Sequence, residues 1–536
     1  MTAAAPARWT TVGQLLAARA ADRGDADFVV TETERLTYAA AEQRSRVLAR
    51  GLVGEGVGKG ARVALLYPTG IPFVVAALAV MRIGAVVVPI STFSKADEIR
   101  DILDRSACSA LVGLAAYRGN DYVAALRTGS GVDVTEAAPI RCAAVPSLHR
   151  VHLDGDGVDP VHSLDALLRA AERVDDDLLD AVEADVTPDD RMLIVHTSGS
   201  TSAPKGVIHD HGPLLRHLDN LNALRGLTEG VRLFSNSPMF WIGGLSYNVL
   251  GTLVAGGVLL SVTSADTTEA LDFLERERPE LVNGFAQSIA QLLADPSFPS
   301  RDFSSVRSGN LYPLLPESIR PKDTELRHNM LGMTEAGSVC LMSTDESDQP
   351  EHRRGSFGVP VTDLEGKVFD PETFTEQGVG EVGELWLRGP LLMEGYDGRE
   401  RCETFTADQW YRTGDLVKTD DDGFFYFVGR RGDMIKTGGA NVSPREVEAV
   451  LRDVTGGLQS IVFGVPDPER GEIVAAVVIA ERDVPLDLEQ VRDDVKARIS
   501  AFKVPRRFLR FAPDELPVMS SGKPDMRRIV DVARDA

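Results

Sequence analysis

Short apolar runs recur along the first part of the chain, and each is followed by a stretch whose apolar positions return every three or four residues. The runs 62–67, 192–197, 232–235, 258–262 and 280–283 are short enough, and blunt enough at their ends, to be buried strands. The segments after them read as amphipathic helices. At 71–81 the pattern is apolar all round and stops at Arg82, and a second apolar run follows at 85–90. That pair predicts a buried helix feeding a strand of a parallel sheet. The repeated alternation predicts an α/β architecture with parallel sheets.

The texture changes twice. From 355 to 427 the chain turns to short strands and Gly-rich turns, which predicts a small β-barrel. The last hundred residues alternate again, with a helix from 444, strands at 459–465 and 473–479 and a helix around 488–499, which predicts a separate α+β domain. The boundary is placed at 430–433. This gives an N-terminal domain over 1–430, with α/β subdomains over about 1–350 and the barrel over about 351–430, and a C-terminal domain over 431–536. Eight acidic residues between 174 and 190 predict a solvated helix and loop between two subdomains. There is no internal repeat and no low-complexity tract.

Composition narrows the function classes. A chain of 536 residues is too long for one ordinary core. Lys and Arg number 57 against 80 acidic residues, a net charge of −23. Such a surface points to a soluble protein and away from sequence-independent nucleic-acid binding. Useful positive charge must therefore be local, at Lys205, Arg430 and Lys523. Cys108, Cys142, Cys340 and Cys402 are scattered without C-x-x-C spacing, which predicts reduced thiols used for packing. The segment 11–21 is only mildly apolar and 71–81 is too short to span a bilayer. The expected location is the cytoplasm.

The most informative stretch is 196–206, H-T-S-G-S-T-S-A-P-K-G. Small residues let successive N–H groups converge on one anion, the hydroxyls add short donors, and Lys205 adds a point charge suited to a polyphosphate. The spacing departs from Walker A, since no Gly precedes Lys205 and no Ser or Thr follows it, and from G-x-G-x-x-G as well. Taken alone, a Ser/Thr/Gly cluster is usually a plain loop. Four further segments accompany it in order: Ser237-Pro238-Met239-Phe240-Trp241, Leu331-Gly332-Met333-Thr334-Glu335, Tyr411-Arg412-Thr413-Gly414-Asp415-Leu416, and Gly429-Arg430-Arg431-Gly432-Asp433-Met434-Ile435-Lys436. Ser521-Gly522-Lys523 closes the series near the C-terminus.

This ordered set, spread over nearly the whole chain, resembles the adenylate-forming superfamily of acyl-CoA synthetases, adenylation domains and beetle luciferases. The resemblance implies a two-step reaction. A carboxylate first attacks the α-phosphate of ATP to give an acyl-adenylate and pyrophosphate, and a thiol then displaces AMP. Charge must be neutralised where two anions meet, and a lysine and a metal ion are the obvious means. Glu335 offers the hard oxygen that Mg²⁺ prefers, although a lone Thr-Glu pair is more often helix capping. By resemblance Glu335 and Thr201 hold Mg²⁺, and Thr334 touches the α-phosphate. Thr197, Ser198, Gly199, Ser200, Thr201 and Lys205 cradle the phosphates. Gly309, Asn310, Leu311, Leu331, Gly332, Met333 and Phe427 surround adenine and ribose.

Asp415, which otherwise reads as an ordinary turn residue, matches the carboxylate that accepts both ribose hydroxyls. Arg430 matches the arginine at the domain junction. Lys523 resembles the catalytic lysine of a mobile C-terminal domain, which bridges carboxylate and α-phosphate during adenylation and then leaves as that domain rotates. The pivot position falls on Gly432. Lys436, Gly438 and Gly439 lie beside the CoA tunnel after rotation.

Five departures from the family pattern stand out. Ser202 replaces a glycine in the phosphate loop, Leu331 an adenine-stacking aromatic, and Asn310-Leu311-Tyr312 a Gly-Ala-Pro-like strand. Trp241 stands where a gating histidine is common, and Pro524 follows Lys523 in place of a branched apolar residue. None removes a charged catalytic group. No acidic residue occurs in 234–247, where amino-acid-activating relatives hold the substrate ammonium. By resemblance Trp241, Gly243, Gly244, Tyr247, Phe285, Ala286 and Met333 line an apolar pocket, with the glycines leaving room. The expected substrate is a medium-chain, alicyclic or aromatic acid.

The favoured reading is an ATP-, Mg²⁺- and coenzyme A-dependent acid–CoA ligase. An acyl-adenylating enzyme loading a carrier protein or another acceptor, and a non-catalytic nucleotide-binding relative, stay open beside it. The sequence Pro517–Lys523 resembles the surroundings of acetylated lysines in acyl-CoA synthetases, so a protein acetyltransferase acting on Lys523 is a candidate partner. So is a second copy of the chain in a homodimer. No nucleic acid and no membrane span are expected.

Overall fold

The computed structural model describes residues 11–197, 205–284, 289–432, 434–437, 440–468, 470–499, 502–519 and 523–535. They form two compact units. The first comprises Met1–Arg354, Pro360–Glu365 and Gly389–Thr406, and the second Gly355–Val359, Gly366–Arg388 and Ala407–Ala536.

The first unit is built on two large sheets. In one, the strands Val86–Pro89, Arg62–Leu66, Ala110–Leu114 and Arg150–Asp154 run parallel, and Arg191–Thr197 joins Val86–Pro89 in the same sense. Strand Lys205–Asp210 then turns back antiparallel on Arg191–Thr197, and the two-residue strand Gly395–Tyr396 pairs antiparallel with it at the edge. The helix Ile71–Arg82 between the first two strands is buried along nearly its whole length, as its all-round apolar sequence requires. In the second sheet Ser308–Gly309, Leu281–Asn283, Arg232–Ser235, Val258–Leu260 and Asp27–Val30 are parallel, and Arg35–Thr37 closes the edge antiparallel. The expected α/β alternation is present, with antiparallel hairpins at sheet edges that the apolar pattern did not distinguish.

The acidic stretch is mostly exposed, as expected, but it has a further role. Its helix, Asp176–Ala184, is not merely solvated. Asp180 accepts from Arg46 at 2.7 Å, and Glu183 accepts at 2.7 Å from Arg82, whose side chain is fully buried. Glu42 and Ser45 Oγ, each at 2.7 Å, share the remaining Arg82 donors. A buried guanidinium needs carboxylates around it, and that need fixes this helix to its neighbours.

In the second unit, Glu365–Phe369, Gly383–Arg388, Tyr411–Thr419 and Phe425–Arg430 form a four-stranded sheet where the barrel was expected. The C-terminal part centres on the antiparallel pair Gln459–Asp467 and Gly471–Ile479. Strand Gly471–Ile479 is buried on both faces, and its alternation sorts the helices. Val474 and Ala476 pack with Val447, Leu451, Val491 and Val495 of the helices Pro444–Val454 and Leu488–Lys496. Ala475, Val477 and Ile479 pack with Ile529 and Ala533 of Met526–Asp535. Among the described residues, no helix is long and apolar enough to cross a membrane.

Candidate active site

Of the phosphate-loop residues, Thr197 ends one strand of the hairpin and Lys205 begins the next, paired directly across from it. Ser198, Gly199, Ser200 and Thr201, with Ser202, lie outside the described residues, as do Phe285, Ala286, Asp433, Gly438 and Gly439. What is described is the frame of the loop. Lys205 Nζ sits 4.9 Å from the centroid of the Tyr396 ring, and the Tyr396 hydroxyl donates to Glu335 Oε1 at 2.8 Å. One side chain thus links the lysine of the phosphate loop to the carboxylate expected to hold Mg²⁺. Main-chain bonds set this geometry: Asp397 N donates to Gly206 O at 2.8 Å, and Met393 N to Glu335 O at 2.9 Å.

Thr334–Ala336 is a single 3₁₀ turn. The Thr334 carbonyl accepts from Gly337 N at 2.9 Å and from His209 Nε2 at 2.7 Å, which requires the Nε2–H tautomer. His209 lies on the same strand as Lys205, so that strand carries the lysine at one end and the support of the Thr-Glu turn at the other.

Sequence reasoning missed Tyr396 and His209. No local pattern marks either, because each acts on a residue more than 60 positions away, on a turn outside its own sheet.

The segment 309–311, expected beside adenine, is pinned more tightly than its sequence suggests. Asn310 Nδ2 donates to Gly284 O at 2.8 Å and its Oδ1 accepts from Gly284 N at 2.9 Å, so the amide clamps the end of a neighbouring strand. Leu311 is fully buried among Phe234, Val282 and Leu314. Gly309 has φ +129°, and a Cβ there would lie 2.0 Å from Val282 O, so no side chain fits. Leu331 is half-buried, Gly332 exposed and Met333 buried.

In the pocket region, Gly243–Leu250 forms a π-helix, a rare geometry that recurs at functional sites. Tyr247 is buried with the Arg225 guanidinium 3.8 Å from its ring centroid, and its hydroxyl meets Met330 Sδ at 3.9 Å. Trp241 stands edge-on to Phe240, and Phe240 edge-on to Phe93. The two glycines differ. A Cβ on Gly243 would meet nothing within 4 Å, in keeping with space for a ligand. One on Gly244 would lie 2.0 Å from Pro238 O, so that glycine serves the close approach of two backbones.

In the second unit, Asp415 is buried and its Oδ1 accepts from Arg430 Nε at 2.9 Å. Buried Glu384, also absent from the sequence expectations, holds the T-G-D turn by accepting from Gly414 N at 3.0 Å and Arg412 Nη2 at 3.0 Å. Its signal was a lone glutamate inside an apolar strand. Phe427 lies under the Arg445 guanidinium at 4.4 Å. Lys523 is exposed, and its backbone carbonyl accepts from Met519 N at 2.8 Å. Desolvation first, and then the charge of Arg430, lower its pKa from the ordinary lysine value. Gly432 is exposed, with open space around it, and Lys436 lies on the strand Ile435–Thr437.

Glu335 fits Mg²⁺ in the manner usual for nucleotide sites. Among the described residues no three His, Cys, Asp or Glu side chains form a metal cage. A Mg²⁺ ion commonly takes one or two carboxylates and completes its shell with substrate phosphates and water. A single carboxylate joined through Tyr396 to Lys205 fits that donor set.

The frame of the site is acid-sensitive. Burial lowers His196, His209, His211 and His217 to about 4 each. In the unfolded chain these rings titrate near 6.5. Their contribution to stability is therefore complete above that value and is lost as pH falls towards 4, because the unfolded state takes up protons first. Asp210, raised to about 7 by burial and then by Glu394, works in the opposite sense. Four against one, the expected result is a melting temperature lower by roughly 5–10 °C at pH 5 than at pH 7. A flat melting profile between those pH values would contradict the neutral, buried state of these rings.

Comparison with known proteins agrees with the geometry. The chain matches the profile of the AMP-binding enzymes over residues 16–397 and that of the AMP-binding enzyme C-terminal domain over 446–523. It is 31% identical over 526 residues to a methyl-dioxo-octahydro-indenyl-propanoyl:CoA ligase of Rhodococcus jostii, covering 96% of this chain and 97% of that one. It is 32% identical to a feruloyl-CoA synthase of an Amycolatopsis species, over 91% of this chain and 92% of the other. The solved structure of the anthranilate CoA ligase AuaEII with anthranoyl-AMP shares the fold, with a TM-score of 0.80, 22% identity and coverage of 99% and 98%.

Proposed function

Because the chain belongs to the family of AMP-binding enzymes, we propose that it is an AMP-forming acid–CoA ligase acting through an acyl-adenylate. The observation that carries this reading is the Lys205–Tyr396–Glu335 line at the mouth of the phosphate-loop hairpin. It joins a lysine and a carboxylate through one tyrosine, which supports reading them as partners for a metal-bound polyphosphate.

In the first step a substrate carboxylate oxygen attacks the α-phosphorus of ATP, and the bond to the β-phosphate breaks to release pyrophosphate. Lys205 meets phosphate oxygens, Thr334 hydrogen-bonds the α-phosphate, Asp415 with Arg430 holds the ribose, and Lys523 bridges the carboxylate and the α-phosphate. Glu335, with Thr201, would hold Mg²⁺, which draws charge from the phosphate oxygens. In the second step the C-terminal domain turns about Gly432, Lys523 withdraws, and the CoA thiol attacks the acyl carbon with AMP leaving. Lys436, Gly438 and Gly439 then flank the pantetheine.

The acid is a medium-chain, alicyclic or aromatic one. Buried Tyr247 and Met333, the Phe240–Trp241 pair and the open space at Gly243 support this reading, as does the absence of any acidic residue in 234–247. Relatives named for a fused-ring propanoate and for feruloyl-CoA point the same way. Lys523 is further proposed as an acetylation site, since a neutral acyl-lysine could not bridge two anions. A homodimer is retained as the proposed assembly.

With ATP, Mg²⁺, CoA and a panel of such acids, the expected products are AMP, pyrophosphate and the acyl-CoA. Loss of the free thiol should depend on the acid. ADP and phosphate as products would overturn the reading. Adenylation without thiol consumption would favour a carrier-protein or other acceptor.

A further inference from the structure

We propose that Tyr396 is a positioning residue with two separable tasks, its hydroxyl orienting the metal-binding carboxylate and its ring holding the phosphate-binding lysine. The proposal rests on the acid–CoA ligase reading and adds a residue to that site. Tyr396 is 7% exposed and sits on the edge strand Gly395–Tyr396, opposite Val207 and two residues beyond Lys205. Lys205 Nζ lies over its ring at 4.9 Å, and its hydroxyl, at the far end of the same ring, donates to Glu335 Oε1 at 2.8 Å.

A carboxylate on a short 3₁₀ turn rotates freely about its last bond unless one oxygen is held. With Oε1 accepting from the Tyr396 hydroxyl, Oε2 is the oxygen that would be left for a cation, since among the described residues no other hydrogen bond to the Glu335 side chain is seen. The hydroxyl donates one proton and carries no charge, so it orients Glu335 without competing for a metal. The ring face attracts the Lys205 ammonium electrostatically and limits the volume that long side chain explores. A direct ion pair would hold the lysine too, but it would neutralise the carboxylate the metal needs. An aromatic ring between the two keeps both charges available.

The tasks come apart in two variants. Tyr396→Phe keeps the ring and removes the hydroxyl. Tyr396→Leu removes both. Binding of a fluorescent ATP analogue is titrated with Mg²⁺, and separately measured in excess EDTA, on the full-length protein, with thermal melts as a folding control. For Tyr396→Phe the Mg²⁺ concentration at half-effect should rise by about tenfold, the lower end of the usual loss for a group that orients a metal ligand, with metal-free binding within twofold of wild type. For Tyr396→Leu metal-free binding should weaken as well, by at least about threefold.

If Tyr396→Leu melts early, Lys205→Met supplies the second arm. It should weaken metal-free binding and leave the Mg²⁺ midpoint within twofold. An unchanged Mg²⁺ midpoint in Tyr396→Phe would overturn the proposal, as would equal metal-free binding by Tyr396→Leu and Tyr396→Phe, or a Lys205→Met midpoint shifted as far as that of Tyr396→Phe. These failures all leave wild-type ATP binding in place. A wild-type protein that binds no ATP would instead overturn the ligase reading itself.

Discussion

Replacing Lys523 by Ala is expected to slow formation of the acyl-adenylate by about 10²–10³-fold, while thioester formation from a supplied acyl-adenylate keeps close to its normal rate. A donor that meets charge developing in one transition state contributes there and nowhere else, and losses of that size are typical for one such group. Lys523 is suited to the role because its side chain is exposed, so its ammonium can be presented to a substrate. Its lowered pKa gives a second readout. The ammonium is present below the shifted value and lost above it, so adenylation in the wild type should fall on the alkaline side before an ordinary lysine would titrate. Lys523→Arg, which stays charged throughout, should lose that alkaline limb. The two half-reactions are measured separately, by pyrophosphate exchange and by thiol consumption from acyl-adenylate. An equal loss in both would remove Lys523 from the adenylation step.

The complementary result is expected at Gly432. Proline there should leave pyrophosphate exchange near normal and slow the CoA step by about 10–100-fold, because it fixes φ at the residue about which the C-terminal domain is proposed to turn. The structure supplies the control. A Cβ at Gly432 would meet nothing within 4 Å, and its φ lies outside the left-handed region, so Gly432→Ala should behave as wild type in both steps. Steric damage would harm Ala and Pro alike, whereas restriction of rotation would harm Pro alone. Normal rates in both steps for Gly432→Pro would place the pivot elsewhere.

Local sequence pattern was enough for the elements and the family. The apolar runs at 62–67 and 232–235, the apolar helix at 71–81 and the strands of the C-terminal part each bury what their sequence makes too apolar for water. Six ordered motifs carried the resemblance because their spacing along the chain is itself the signal. The remainder depended on residues far apart in sequence. Asn310, expected beside the nucleotide, also spends both ends of its amide on Gly284. Gly244, expected to line the acyl pocket, also meets the close approach of the Pro238 carbonyl. The acidic stretch is mostly exposed, as expected, and also supplies Glu183 to a buried arginine.

Tyr396, His209 and Glu384 carried no recognisable motif, and tertiary contacts alone set them against Glu335, Thr334 and the T-G-D turn. Periodicity and motif spacing are properties of neighbours along the chain, so the sequence by itself determined the fold class and the chemical family. Which polar atom meets which depends on sheet order and register. Those are settled only when distant strands pair and every buried donor and acceptor must find a partner, and so the tertiary structure decided how the candidate site is held.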